Sequence, residues 1–191
     1  MMKHPAVCPA LIVLIGMGFL SNLWLGSGIV YSDKSDIIAQ LTSLKVIAQR
    51  AMADEGTYPL WDPSTNCGSP AHANPGGMFT FPLHGSYFFF PIDQATNLTI
   101  LLSALCAGLT MYLFARRVVQ HRASALVCGV AYMLCHRSLS MIHAGWLQGL
   151  VMYALTPLLF WSLDRLIERP SRARIGFTAV AFALGLMQGQ I

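Results

Sequence analysis

SDKSDIIAQ (residues 32–40) and YPLWDPSTNCGSPAHANPGGMFTFP (residues 58–82) decide how this chain folds. Both follow an uncharged, mostly apolar run at 10–30. Acidic side chains placed where a membrane helix leaves the bilayer are costly unless they have a task. The Pro, Gly, Asn and aromatic residues behind them suit neither a helix nor a lipid-facing surface. Residues 31–96 therefore read as a folded segment held outside the hydrocarbon, which points to chemistry at the lipid–water boundary.

The composition supports this. The chain of 191 residues is 55% hydrophobic and 10% charged, with a mean hydropathy of +0.56. A soluble domain carries roughly 25% charged residues. The net charge is +4, but no basic stripe interleaves with aromatics, which argues against a nucleic-acid partner. Cys8, Cys106, Cys128 and Cys135 fall in or beside apolar segments and Cys67 stands in the polar loop. No CxxC pair occurs, so neither a disulfide nor a cysteine metal site is expected.

The run at 10–30 is long enough to span a bilayer and follows Lys3. It reads as a retained anchor helix, with a cleaved signal peptide as the alternative. Over 36–53, Ile37, Ile38, Leu41, Leu44, Ala48 and Met52 recur at helical spacing, with Asp36, Gln40, Lys45, Gln49 and Arg50 mostly elsewhere. This predicts an amphipathic helix, lying in the membrane interface or packed on protein. Residues 54–92 read as an ordered loop with short helical turns, and its aromatics suit a headgroup-level belt. Four further apolar segments follow at 97–115, 123–135, 147–163 and 175–191, the second reaching spanning length if it extends through Ser140. The last runs into Ile191 and reads as unfinished, as in an N-terminal fragment. The expected layout is a cytoplasmic N-terminus and first helix at 1–30, an extracytoplasmic loop at 31–96 and helices two to five at 97–191.

Basic residues set the orientation. Lys3, then Arg116, Arg117 and Arg122, then Arg165, Arg169, Arg172 and Arg174 alternate correctly for one membrane side, the cytoplasmic one. The segment 31–96 holds Lys34, Lys45 and Arg50 against Asp33, Asp36, Asp54, Glu55, Asp62 and Asp93. It shares the outer face with an expected turn at 136–146.

These motifs resemble the YfhO-type bacterial membrane proteins among the GT-C polytopic glycosyltransferases. The resemblance rests on Asp36-Ile37-Ile38-Ala39-Gln40, then Pro59-Leu60-Trp61-Asp62-Pro63, Gly68-Ser69-Pro70 and Ala73-Asn74-Pro75. Met111 to Arg117, Arg137 with His143, Leu163-Asp164-Arg165-Leu166 and Gly189-Gln190 follow in family order. Asp62 stands where the family has Asn, Phe81-Pro82 lacks the family's preceding Tyr, and no His precedes Gln190. The resemblance implies an all-α GT-C-like bundle in the bacterial inner (plasma) membrane. Its activity would be sugar transfer from a polyprenyl-phosphate carrier to an envelope glycan or lipid acceptor. An acidic first-loop residue would serve as base or as contact to a divalent metal ion.

Such transfer needs a base for the acceptor hydroxyl and positive charge for the leaving phosphate. Asp36 is the candidate base and Asp33 its competitor; either also reads as a helix N-cap, Asp33 the more so. Arg137 and His143 are candidate phosphate contacts, or an interfacial arginine and a turn histidine. Trp61, Asn74, His72 and Gln40 are candidate pocket residues, though Trp61 also reads as a loop anchor and Asn74-Pro75 as a turn. Two other classes stay open. One is a non-catalytic or truncated membrane subunit. The other is a transporter or flippase fragment, against which stands the lack of a charged residue at mid-helix.

Overall fold

A computed structural model describes the chain except residues 1–5, 27, 29–34, 38–41, 55, 58–59, 64–66, 72–80, 120 and 188–191, and except the side chain of Ser43. It is all-helical among the described residues. Helices α1 (Val7–Phe19) and α2 (Asn22–Leu25) lead to α3 (Ser43–Asp54) and a 3-10 helix (Pro82–Phe88). Then follow α4 (Ile92–Val118), α5 (Arg122–Leu134), α6 (His136–Ala144), α7 (Leu147–Glu168) and α8 (Arg172–Leu186).

Three helical stretches are long and apolar enough to cross a membrane: Ile92–Val118, Arg122–Ala144 and Leu147–Glu168. These three cover the second to the fourth of the five spans read from the sequence, and among the described residues α1 and α8 are shorter. The expected first span at 10–30 is broken. Its continuous helix ends at Phe19, and the backbone hands its hydrogen bonds on through Leu20 and Ser21 into α2. Gly16 and Gly18 weaken the last turn of α1, and Ser21-Asn22 offers local side-chain alternatives to the helix. By contrast α4 outruns its apolar core at both ends. Asp93 suits the positive end of its dipole and Arg116 and Arg117 the negative end.

Helix α4 is the axis of the bundle, with α1, α2, α5 and α7 packed on it. The backbones of α4 and α5 come close at Gly108 and Gly129, where a Cβ on Gly129 would lie 2.7 Å from the Gly108 carbonyl oxygen. Small residues serve this purpose where lipid supplies no hydrophobic drive between helices.

The α5–α6 break and the proline of α7 solve each other. Cys135 is extended (φ −67°, ψ 160°), which ends the α5 ladder and frees the Tyr132 carbonyl. Pro157 lacks an N–H and so frees the Tyr153 carbonyl four residues back. The Tyr153 hydroxyl donates to the Tyr132 carbonyl at 2.8 Å, and the Tyr132 hydroxyl to the Tyr153 carbonyl at 2.9 Å. Their rings stack at 4.0 Å. Each orphaned acceptor in an apolar setting is thereby satisfied.

Chain direction sets two ends apart. Arg117, at the end of α4, pairs with Asp164 and Glu168, at the end of α7, so these helices run parallel. Arg122 opens α5, and Arg172 and Arg174 open α8, at that same end. The other end carries α3, the 3-10 helix and α6.

Candidate functional site at the loop end of the bundle

Helix α6 occupies the stretch expected to be a turn. Its buried positions are Ser138, Met141 and Ile142, so it lies with one side on the bundle. It stops at Gly145, whose φ of +75° is the left-handed conformation that favours glycine. The Trp146 N–H donates to the Met141 carbonyl at 2.9 Å and the Gly145 N–H to that of Ile142 at 3.1 Å, a Schellman ending.

Gly145 is also a docking point. A Cβ there would lie 2.5 Å from Ser35 Oγ, 2.7 Å from Ile37 Cγ1 and 2.8 Å from the Ile37 nitrogen. The fold thus brings the acidic motif of the first loop onto the end of α6, more than a hundred residues on in the chain. Ile37 is fully buried in a core with Ile100, Leu101, Met141, Ile142 and Leu147. Between its buried neighbours Ser35 and Ile37, Asp36 is exposed. The local side-chain turn belongs to Ser35, whose Oγ accepts from the Ile37 N–H at 3.3 Å. The carboxylate of Asp36 makes no hydrogen bond or ion pair among the described residues.

His143, two residues before Gly145, is exposed, as are Arg137 and His136. At 100° per residue, His136, Ser140 and His143 fall on one face of α6 and Arg137 lies a quarter-turn away. Ser140 Oγ and His136 Nε2 are 3.2 Å apart. His136 is a functional candidate the sequence reading missed. Its i, i+4, i+7 relation to Ser140 and His143 was there to find, once the stretch is taken as helix.

Beside this turn runs a groove of about 490 Å³ between α2 and the start of α4. Leu23, Trp24, Phe90 and Leu101 give it apolar walls, and Asp93 and Asn97 stand at its polar side. Leu23 and Leu101 also belong to the core that holds Ile37. Asn97, the first residue of an apparent glycosylation triplet, is buried and donates from Nδ2 to the Gly28 carbonyl at 2.7 Å.

The described parts of the polar loop meet in a short antiparallel bridge. Asp62 and Ser69 exchange two backbone hydrogen bonds of 2.8 Å, and the Ala71 N–H donates to the Leu60 carbonyl. Trp61 lies across Gly68, whose φ is +114° and where a Cβ would lie 2.6 Å from the indole. The side chain of Trp61 is still 58% exposed, so one surface stays open beyond its role in the turn. Asp62 is fully buried.

The amphipathic reading of α3 needs correction. Lys45 was expected off the apolar side and is fully buried, whereas Met52 is exposed. Lys45 Nζ sits 4.6 Å from the centroid of the Tyr87 ring, which supplies a favourable face for a cation. Burial pulls Lys45 down from an ordinary 10.5 to about 7. His84, 1% exposed, stacks parallel on Tyr87 at 5.5 Å. Burial first, and then the charge of Lys45, holds His84 well below the usual histidine value.

Asp33, Gln40, His72, Asn74 and Gln190 lie outside the described residues. Among the described residues, no three His, Cys, Asp or Glu side chains converge as metal donors. Comparison with known protein families, characterised proteins and solved structures finds no match to this chain.

Proposed function

We propose that the chain is, or forms part of, a YfhO-type GT-C membrane glycosyltransferase. In this reading it moves a sugar from a polyprenyl-phosphate carrier to an envelope glycan or lipid at the outer face of a bacterial inner membrane. The observation that carries the proposal is the docking of the Ser35–Ile37 turn on Gly145. It leaves an exposed carboxylate, Asp36, beside a helix bearing His136, Arg137 and His143.

The chemistry follows from the residue types. Asp36 takes the proton of the acceptor hydroxyl as its oxygen attacks the anomeric carbon. The bond from that carbon to the phosphate oxygen breaks, and polyprenyl phosphate leaves with the electron pair. Arg137, with its planar fork, or a histidine ring N–H on the α6 face stabilises the negative charge on the leaving phosphate. The groove by Trp24 and Phe90 has the apolar walls an isoprenoid chain needs, and Asn97 marks its polar side. Trp61 offers an exposed ring face of the kind that stacks on sugars.

The test is a transfer assay on the longest reading frame that contains this chain, with a polyprenyl-phosphate-linked sugar as donor. Asp36→Ala is expected to lower transfer by roughly 100- to 10,000-fold while the protein still accumulates in the membrane. Transfer at the native rate by that variant would sink the proposal.

A further inference from the structure

The buried cluster under α3 takes no part in the chemistry above, yet it removes two ionisable side chains from water. Three elements meet there. Helix α3 contributes Lys45, the 3-10 helix contributes His84 and Tyr87, and α4 contributes Thr96. The Tyr87 hydroxyl and Thr96 Oγ1 are 3.0 Å apart, and Thr96 Oγ1 donates back to the Ile92 carbonyl at 2.7 Å. Gln49 of α3 donates from Nε2 to the Tyr87 carbonyl at 2.9 Å and to that of Phe90 at 3.1 Å. Neither ring nitrogen of His84 has a hydrogen-bond partner among the described residues. A neutral imidazole carries one donor and one acceptor, and leaving both unmet in a buried site is costly.

We infer that Lys45, His84 and Tyr87 form an acid-sensitive latch that fastens α3 to the head of the bundle and, through α3, sets the Asp36 turn. The link to that turn is short, because Thr42, next to the start of α3, donates from Oγ1 to the Ile37 carbonyl at 2.8 Å. The charged neighbour of His84 is Lys45, on the other element that Tyr87 contacts. Phe81, tilted against His84 at 6.0 Å, connects to Val151 and Leu155 of α7, which bring no charge. Burial raises the Tyr87 phenol, so it stays neutral at physiological pH.

Protonating His84 would place a second cation in the pocket that already holds Lys45. Both bases are depressed in the closed state and return to ordinary values when α3 is released. The released state therefore binds more protons, and acid favours release. Lys45 weakens the latch as pH falls from 10.5 to about 7, below which it is charged in both states. His84 weakens it again as pH falls below 6.5. Where one proton is fully linked, opening rises roughly tenfold per pH unit. The latch is independent of what Asp36 does, and it is read without any transfer assay.

The experiment is hydrogen exchange on the full chain in lipid nanodiscs between about pH 9 and about pH 5, with amide rates corrected for their intrinsic pH dependence. The expected result is stepwise loss of protection over Ser43–Asp54, above pH 7 and again below pH 6.5, while α7 keeps its protection. Lys45→Met should remove the upper step and His84→Phe the lower. Exchange over Ser43–Asp54 that ignores pH in the native chain would overturn the latch. Should either variant fail to fold, NMR titration of the His84 ring in the native protein decides. A ring neutral to well below 6.5 supports the latch, and one that titrates at the ordinary value contradicts it.

Discussion

The two ends of the bundle handle charge in opposite ways. At the arginine end, every described charge contact is partly open to solvent and matched. Arg117 donates to Asp164 at 2.6 Å and also pairs with Glu168. Arg174 donates to the carbonyls of Arg165 and Arg169 at the end of α7, and Arg165 lies over the Trp161 ring. Nothing there is expensive, and the arrangement serves orientation and helix termination. At the loop end, Lys45, Asp62 and His84 are removed from water. Asp36, by contrast, is left in it. Buried ionisable groups cost stability and cluster at functional sites. The contrast is what favours the loop end in the proposed reading.

The comparison breaks first at Asp36. Because its side chain is exposed, Asp36→Ala should leave folding unchanged and lower transfer by roughly 100- to 10,000-fold, the usual worth of a positioned base. Transfer kinetics beside a melting curve check both halves. Next comes Lys45→Met, which removes a buried amine and keeps its length. One pKa unit is about 1.4 kcal/mol, so the variant should be more stable near neutral pH by on the order of 2–4 kcal/mol. Thermal unfolding in detergent at two pH values reads this, with the gain shrinking as pH rises. Gly145→Ala should cost about 1–2 kcal/mol for the left-handed backbone alone. It should also lower transfer, because Ser35 and Ile37 must retreat from the new Cβ.

Midway along the bundle, Tyr153→Phe removes one half of the tyrosine clasp and should cost about 1 kcal/mol, seen as a lower melting temperature with transfer intact. The smallest effect belongs to the arginine end. Asp164→Asn should lower the melting temperature slightly at low salt and not at all at high salt, because the pair is exposed and screened. A large, salt-independent loss there would erase the distinction between the two ends.

Much of the fold was legible because it is local. Apolar length announced α4, α5 and α7, and the arginines marked one end. The acidic turn was legible because charge beside an apolar run stands out. What escaped depends on partners far along the chain. Lys45 sits at a polar position by periodicity, and the Tyr87 ring, brought over by the loop, gives it a face to bury against. The break at Cys135 is held by a hydroxyl from α7, whose own proline needs the return bond. The shortening of the first span shows the limit of apolar length as a guide, since Gly16, Gly18 and the Ser21-Asn22 pair interrupt a run that hydropathy reads as continuous. His136 was hidden by a wrong element type: in a turn its spacing from His143 means nothing, and in a helix it means a shared face.

The most direct test of the central claim asks where the carrier binds. A polyprenyl phosphate bearing a photoreactive group would be cross-linked to the native chain in nanodiscs and the labelled residues read by mass spectrometry. Labelling is expected at the Trp24–Phe90 groove and around Asp36 and His143, competed by unlabelled polyprenyl phosphate. Labelling confined to the arginine end, or spread over the lipid-facing helices and indifferent to the competitor, would contradict it.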